Sequence, residues 1–275
     1  MNIKPYAPLL LGCLLLASGC ALTQSQPSSP PAALTESDGS NWFVIYTNAV
    51  LDASNAAPDK VSTHLTAISL ANTNLCWRTN AGVLQLKVAT FLDHGSAERY
   101  YKPGPELLVN HDVWVTVCPD LARFCATNQS AGGNLLFRLN QLLGIPPGVI
   151  KDRVVEFWVS PNYLFRPTPE PAINSVSAGL SSSVNAPLVS GNLRTPAFWP
   201  AWYNGNYSTR YAFAKGITNA YPYTQLGYTY DWATNNPGHQ GLSEFVIPCS
   251  ALWSSLGVTV PIDVITNEPA VTYGE

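Results

Sequence analysis

The chain has 275 residues, of which 46% are hydrophobic and only 11% are charged, and its formal net charge is −3. Nucleic-acid binding normally requires a basic patch, so 14 Lys and Arg against 17 Asp and Glu argue against that class of function. Low charge together with eight Trp and thirteen Tyr indicates an exported protein with ample material for a hydrophobic core.

The first 19 residues have the regions of a signal peptide. A cationic start that includes Lys4 precedes an apolar run at residues 9–17, which is too short to cross a bilayer as a stable helix. The segment Ala17-Ser18-Gly19-Cys20 resembles the lipobox of bacterial lipoproteins, although Ala17 stands where that family usually has Leu. The resemblance implies that Cys20 is lipidated and becomes the mature N-terminus. An ordinary secretory signal peptide is the alternative.

Lipidation at Cys20 implies that this end of the chain is anchored in a membrane by acyl chains. Each buried methylene contributes about 0.8 kcal/mol to the free energy of membrane binding. In the lipoproteins that the segment resembles, Asp after the cysteine favours retention in the inner membrane. Ala21 occupies that position here, which points to the outer membrane. Residues 20–40 are rich in Ser and Pro and predict a flexible linker. Residues 41–275 predict one globular domain, with two smaller domains as the alternative.

The folded part reads as strands separated by helices of uneven length. Strands are predicted at residues 42–46, 83–91, 113–117, 154–159, 227–232 and 242–247. A helix is predicted at residues 135–143, because Asn134 can cap it and Gly144 with Pro146 can end it. A second helix is predicted at residues 60–70. Irregular alternation of this kind favours an α+β, β-rich domain with few helices over a regular βαβ array.

Four cysteines remain after lipidation, which is an even number in an exported chain. They are Cys76, Cys118, Cys125 and Cys249. Two disulfides are predicted, with three possible pairings. The six residues between Cys118 and Cys125 permit a bond between these two, and we favour that pair. A zinc site would require closer spacing than any pair shows.

Several segments between residues 114 and 247 resemble a group of uncharacterised secreted bacterial proteins. They are Val113-Trp114-Val115-Thr116-Val117, Arg138-Leu139-Asn140-Gln141-Leu142-Leu143-Gly144-Ile145-Pro146-Pro147, Val155-Glu156-Phe157-Trp158-Val159, Leu164-Phe165-Arg166-Pro167, Leu226-Gly227-Tyr228-Thr229-Tyr230-Asp231-Trp232 and Gly241-Leu242-Ser243-Glu244-Phe245-Val246. Members of that group often carry a cysteine where Thr168 stands. The resemblance implies a shared fold and no particular reaction.

Three acidic residues in predicted strands could carry chemistry. Glu156, Asp231 and Glu244 lie among apolar neighbours, where burying a carboxylate is costly unless it is paired. One interpretation is a pair of acids that hydrolyses a glycosidic or similar bond. The interpretation we favour is structural, with ion pairs to arginines at positions 138, 153 or 166.

Other catalytic signatures are weak, so we predict no metal and no cofactor. Ser243 resembles the start of a nucleophile elbow, but Phe245 replaces the closing Gly. The four histidines are scattered through the sequence without the spacing of a metal site. They are His64, His94, His111 and His239.

Aromatic residues are dense between residues 198 and 232 and are interleaved with amides. Such a composition is typical of grooves that bind sugars or peptides. Trp199, Trp202, Tyr203 and Asn204 fall in a predicted Pro- and Gly-rich loop, and loops carry binding residues disproportionately. The sequence therefore predicts an envelope lipoprotein that binds a polymer or a protein partner through this region, with an envelope hydrolase as the alternative.

Overall fold

The computed structural model describes residues 42–108, 111–130, 134–180, 199–210, 220–248 and 260–274. The α-helices of this part of the chain are α1 (Trp42–Ala53), α2 (His94–Tyr100), α3 (Cys118–Ser130), α4 (Leu135–Leu142) and α5 (Trp199–Arg210). Its strands are β1 (Trp77–Asn80), β2 (Val83–Leu92), β3 (Gly104–Leu108), β4 (Val113–Val117), β5 (Arg153–Val159), β6 (Tyr228–Tyr230), β7 (Gln240–Ser243), β8 (Phe245–Ile247) and β9 (Pro261–Pro269). The predicted signal peptide, Cys20, the linker and Cys249 lie outside the described residues.

The strands form one large antiparallel sheet and one small one. The large sheet has seven strands, in the order β3-β9-β5-β2-β4-β8, and β1 also pairs with β2. The small sheet consists of β6 and β7. The predicted α+β class with a β-rich composition is confirmed.

Strand β2 lies near the middle of the large sheet and contributes to two cores, because successive side chains of a strand point to opposite faces. Leu86 and Val88 belong to one core, which includes residues of α2 and the first turn of α5. Ala89 and Phe91 belong to a second core, which includes residues of α3 and α4. Burial on both faces explains why β2 is apolar along most of its length.

Helix α4 forms where the sequence predicted it. The side chain of Asn134 accepts a hydrogen bond from the backbone N–H of Phe137 at 3.1 Å, which caps the first turn. Leu135, Leu139 and Leu142 are buried at helical spacing. Gly144 follows the helix with φ of +66°, a conformation that glycine adopts without strain.

Two predicted elements are wrong. Residues 42–46 start α1 instead of forming a strand, since the buried side chains Tyr46, Ala49, Val50 and Ala53 recur every three or four residues. The predicted helix at residues 60–70 is irregular. The backbone N–H groups of Leu65 and Ile68 donate to the carbonyls of Val176 and Ile173, both at 2.8 Å, and a helix would use those donors internally.

None of the helices in the described ranges is both long enough and apolar enough to span a membrane.

Candidate functional site

The candidate binding residues lie on helix α5, and the predicted loop at this place is wrong. Pro200 occupies the first turn, where its missing N–H breaks no intrahelical hydrogen bond, so it permits a helix start. Trp199, Trp202 and Tyr203 are spaced by three and four residues and share one side of the helix. Asn204 is exposed.

Trp199 belongs to the core. It is 1% exposed, and its ring stacks on Phe165 at 4.9 Å and on Trp202 at 4.6 Å between ring centroids. Its indole N–H donates to the carbonyl of Thr168 at 3.3 Å, which satisfies the polar end of the buried side chain. The prediction that Trp199 forms part of an exposed binding surface is therefore wrong.

Trp202 and Tyr203 remain half-buried and are held in fixed orientations. The Trp202 indole N–H donates to Oδ2 of Asp112 at 2.8 Å, and its ring also lies 6.2 Å from that of Trp114. The Tyr203 hydroxyl donates to Oε1 of Gln225 at 2.9 Å. Both side chains are thus partly accessible while their rotamers are restricted.

We call Trp202, Tyr203 and Asn204 the α5 surface. It combines two aromatic side chains, each held by a contact with a neighbouring ring and by a hydrogen bond, with an exposed amide. Aromatic rings supply contact area for a sugar or peptide, and an amide can donate and accept hydrogen bonds that orient it. Because the rings are already ordered, a ligand would lose little of its binding energy to fixing them.

Asp231 is a structural acid. The guanidinium of Arg138 donates to both of its carboxylate oxygens, at 2.9 and 2.6 Å, and the Asp231 side chain is 1% exposed. The backbone N–H of Ala233 and the side-chain amide of Asn236 also donate to the carboxylate, at 3.1 and 2.9 Å. The favoured interpretation, an ion pair with one of three arginines, is confirmed for Asp231, and its partner is Arg138.

Glu156 is also paired, but with a lysine and a tyrosine that sequence reasoning missed. The Lys87 ammonium donates to Oε2 at 2.9 Å and the Tyr273 hydroxyl donates to Oε1 at 2.7 Å. Burial acts to lower the pKa of Lys87, but the hydrogen bond to Glu156 and the electrostatic interactions with Cys118, Glu156 and Cys76 together outweigh it, so the pKa is raised. Burial also raises the pKa of the Tyr273 hydroxyl. Alternation along β2 could have placed Lys87 on the same face as Glu156, whereas Tyr273 lies too far along the chain to be placed.

The remaining residues of the predicted ion pairs have other contacts. Glu244 is half-buried between β7 and β8, and its backbone N–H donates to the carbonyl of Gly227 at 3.0 Å. Arg153 pairs with Glu98 at 3.1 Å. Arg166 is fully buried and donates to backbone carbonyls, and burial lowers its pKa to about 10. The predicted pairing of an acid with Arg153 therefore involves an acid outside the predicted set.

Ser243, His111 and His239 make contacts within the fold, whereas His64 and His94 are exposed. Ser243 is buried at the end of β7, and its hydroxyl accepts a hydrogen bond from the backbone N–H of Thr66 at 2.7 Å. His111 contacts the Tyr101 hydroxyl at 3.0 Å, and His239 stacks on Tyr230 at 4.8 Å. In the described part of the chain, no group of three or more His, Cys, Asp or Glu residues is placed to hold a metal ion.

Cys118 and Cys125 lie on one helix, which rules out the disulfide that we favoured. They are seven residues apart on α3, so their Cα atoms are separated by roughly 10 Å along the axis. A disulfide requires less than about 7 Å. Cys76, Cys118 and Cys125 are free thiols in the structure. Two disulfides among all four cysteines remains a prediction, since Cys249 lies outside the described residues.

Compared with known proteins, the chain matches no family model, no curated protein and no solved structure.

Proposed function

We propose that the protein is a lipid-anchored lipoprotein of the outer membrane that binds an envelope polymer or partner protein through the α5 surface. The observation that carries the proposal is the state of Trp202 and Tyr203. Both side chains are half-buried, and both have their polar atoms hydrogen-bonded to the protein. Large amphipathic side chains that are ordered before binding and partly accessible are frequent at binding hot spots.

The stacked aromatic rings beneath this surface support the same function. Trp199 stacks between Phe165 and Trp202, so α5 is attached to the large sheet through its aromatic side. A surface on a rigid element holds its binding groups more precisely than one on a loop. The membrane anchor at Cys20 and the linker that follows would keep this surface within reach of envelope polymers.

The hydrolase alternative finds less support. An acid that protonates a leaving group must touch the substrate, and the Asp231 carboxylate is both buried and occupied by hydrogen bonds from Arg138 and Asn236. Glu156 is similarly engaged by Lys87 and Tyr273. Two of the three candidate acids are therefore held by different cations on different elements.

Truncation of the α5 surface should reduce binding. The full-length protein in detergent is incubated with purified peptidoglycan sacculi and sedimented. We expect Trp202→Ala to lower the retained fraction about tenfold or more, as loss of a central aromatic contact does at other interfaces. Tyr100→Ala is the matched control, because Tyr100 is a 43% exposed aromatic residue on α2. If the wild type and Trp202→Ala are retained equally, the α5 surface does not bind peptidoglycan sacculi.

A protein partner is tested in living cells. A photo-crosslinking amino acid replaces the exposed Asn204, and the control site is Leu70, which is 68% exposed and lies outside α5. A crosslinked product that forms at position 204 and not at position 70 supports a partner protein at this surface. If neither sacculi nor a crosslinked partner is found, the proposed binding function is wrong.

The anchor is tested separately. Cys20→Ser should abolish incorporation of labelled palmitate and remove the protein from the outer-membrane fraction, because the acyl chains have no other attachment point in the predicted lipobox. Cys13→Ser is the control, since it changes a cysteine of the same signal peptide that is not expected to be lipidated. Cys20→Ser protein that still sediments with the outer membrane after a salt wash would contradict a lipid anchor.

A further inference from the structure

Strands β1 and β4 lie on the same edge of β2, one after the other. Trp77, the first residue of β1, pairs with Leu86 on β2, and Val117, the last residue of β4, pairs with Val88. Strand β5 occupies the opposite edge of β2 over this region. Because β1 and β4 both run antiparallel to β2, β4 ends at the point where β1 begins.

The residues at this junction are cysteines. Cys76 precedes β1, and its carbonyl accepts a hydrogen bond from the backbone N–H of Lys87 at 3.0 Å. Cys118 follows Val117, which pairs with Val88, so α3 starts close to the position of Lys87 on β2. Two chain segments that are 42 positions apart in sequence therefore bring Cys76 and Cys118 to the same part of β2.

The two side chains also share a face of the sheet. Residues directly opposite each other in an antiparallel pair point to the same side, so Cys76 points to the side of Lys87. Lys87 contacts Glu156 on that side, and Cys118 belongs to the core that Ala89 and Phe91 form on the same face of β2. The Lys87 ammonium interacts electrostatically with both thiols.

Cys125 is excluded as the partner of Cys118 by its position on α3. We propose that Cys76 and Cys118 form a disulfide, which joins the end of β4 to the start of β1 once the protein is exported. The proposal depends on export, as the proposed function does. It selects one of the three pairings that the sequence leaves open and leaves Cys125 and Cys249 as the remaining pair.

The oxidant is a disulfide-bearing thiol oxidoreductase or a small-molecule disulfide. Cys76 is half-exposed and first forms a mixed disulfide, releasing one thiol of the oxidant. Cys118 then loses its proton to solvent, its thiolate attacks the sulfur of Cys76, and the second sulfur of the oxidant leaves as a thiolate that takes up a proton from solvent. Two electrons and two protons leave the protein, one S–S bond forms, and the disulfide of the oxidant becomes two thiols.

The pairing is tested on the purified full-length protein in detergent. The protein is reduced, transferred to a buffer of reduced and oxidised glutathione, blocked with an alkylating reagent and digested without reductant for mass spectrometry. We expect a linked peptide pair that joins Cys76 to Cys118. A link from Cys76 to Cys125 or to Cys249, or a Cys76 that remains alkylated throughout, would overturn the proposal.

Matched variants give an independent measurement. Cys76→Ser should leave Cys118 reduced. It should also make the decrease in melting temperature that reductant causes on the order of 5–10 °C smaller than in the wild type, and any decrease that remains is assigned to the pair of Cys125 and Cys249. Cys125→Ser should keep the link between Cys76 and Cys118. A wild-type melting temperature that does not respond to reductant would contradict the proposal.

The same assay on protein from exporting cells separates this inference from the proposed function. If the link forms in the glutathione buffer and the cellular protein carries free thiols, the pairing is supported and export is contradicted. If the link is found in the cell while the α5 variants bind normally, the disulfide stands and the binding surface is wrong.

Discussion

Replacing Trp199 with alanine should lower the free energy of unfolding by about 3–5 kcal/mol, because the change leaves a cavity in the core. Trp199 is almost fully buried. The alanine variant loses the stacking contacts with Phe165 and Trp202 and the hydrogen bond to the carbonyl of Thr168. The measurement is urea unfolding followed by circular dichroism. The effect distinguishes a core residue from a binding residue. Trp202→Ala should lower the free energy of unfolding less than Trp199→Ala does and should reduce ligand binding more.

Trp158 provides the matched control for Trp199. It is half-buried, and the guanidinium of Arg78 lies 4.8 Å from its ring centroid. We therefore expect Trp158→Ala to cost clearly less than Trp199→Ala, on the order of 1–2 kcal/mol from lost cation–π contact and partial burial. A Trp199→Ala variant as stable as Trp158→Ala would show that α5 is not anchored through Trp199.

Replacing Asp231 with asparagine should lower the free energy of unfolding by about 3–5 kcal/mol, because it leaves the partly buried Arg138 guanidinium without its counter-charge. The substitution keeps the volume of the side chain, removes its charge and replaces one acceptor oxygen with an amide NH2 donor. Urea unfolding measures the effect. Any loss of cellular activity in this variant is expected to follow the loss of folded protein.

A double-mutant cycle shows whether the pair is the cause. The guanidinium of Arg138 lies 5.0 Å from the Phe124 ring centroid, so methionine at position 138 retains an apolar contact there. The double variant Asp231→Asn, Arg138→Met should lose less unfolding free energy than the sum of the two single losses, by about 2 kcal/mol or more. A difference of this size is expected for residues in direct contact. Additive effects would mean that the ion pair does not account for the cost.

The sequence predicted those elements in which local signals and tertiary packing agree. Strands β2, β4 and β5 contain dense β-branched and apolar residues, and α4 has a capping Asn134 and a terminating Gly144. Each of these signals is contained in a window of about ten residues. The α+β class followed from them.

Two elements were mispredicted or missed because the local pattern was considered over too short a window or was interrupted by proline. Residues 42–46 have the composition of a strand, and their helical periodicity becomes visible only when Ala49, Val50 and Ala53 are included. Strand β9 starts with Pro261 and ends with Pro269, which obscured it although proline is tolerated at the first residue of a strand.

The candidate site was predicted only in part. The residue types of the α5 surface were identified, but the burial of Trp199 depends on Phe165 and Thr168, which no pattern near position 199 reveals. The ion pair of Asp231 with Arg138 was anticipated from the cost of burying a carboxylate. Tyr273 was missed because it lies far from Glu156 along the chain, and Lys87 was missed because its position beside Glu156 depends on the pairing of β2 with β5.

Arg166 imposes a condition on how the chain assembles. On folding, its guanidinium gives up hydrogen bonds to water and donates instead to backbone carbonyls of three separate segments, at Thr66, at residues 172–175 and at Gly227. Until all three segments are in place, the buried Arg166 guanidinium would lack both water and a full set of acceptors, which is unfavourable. Partly assembled forms of this region are therefore disfavoured, and the three loops should order together late in folding, as one cooperative unit.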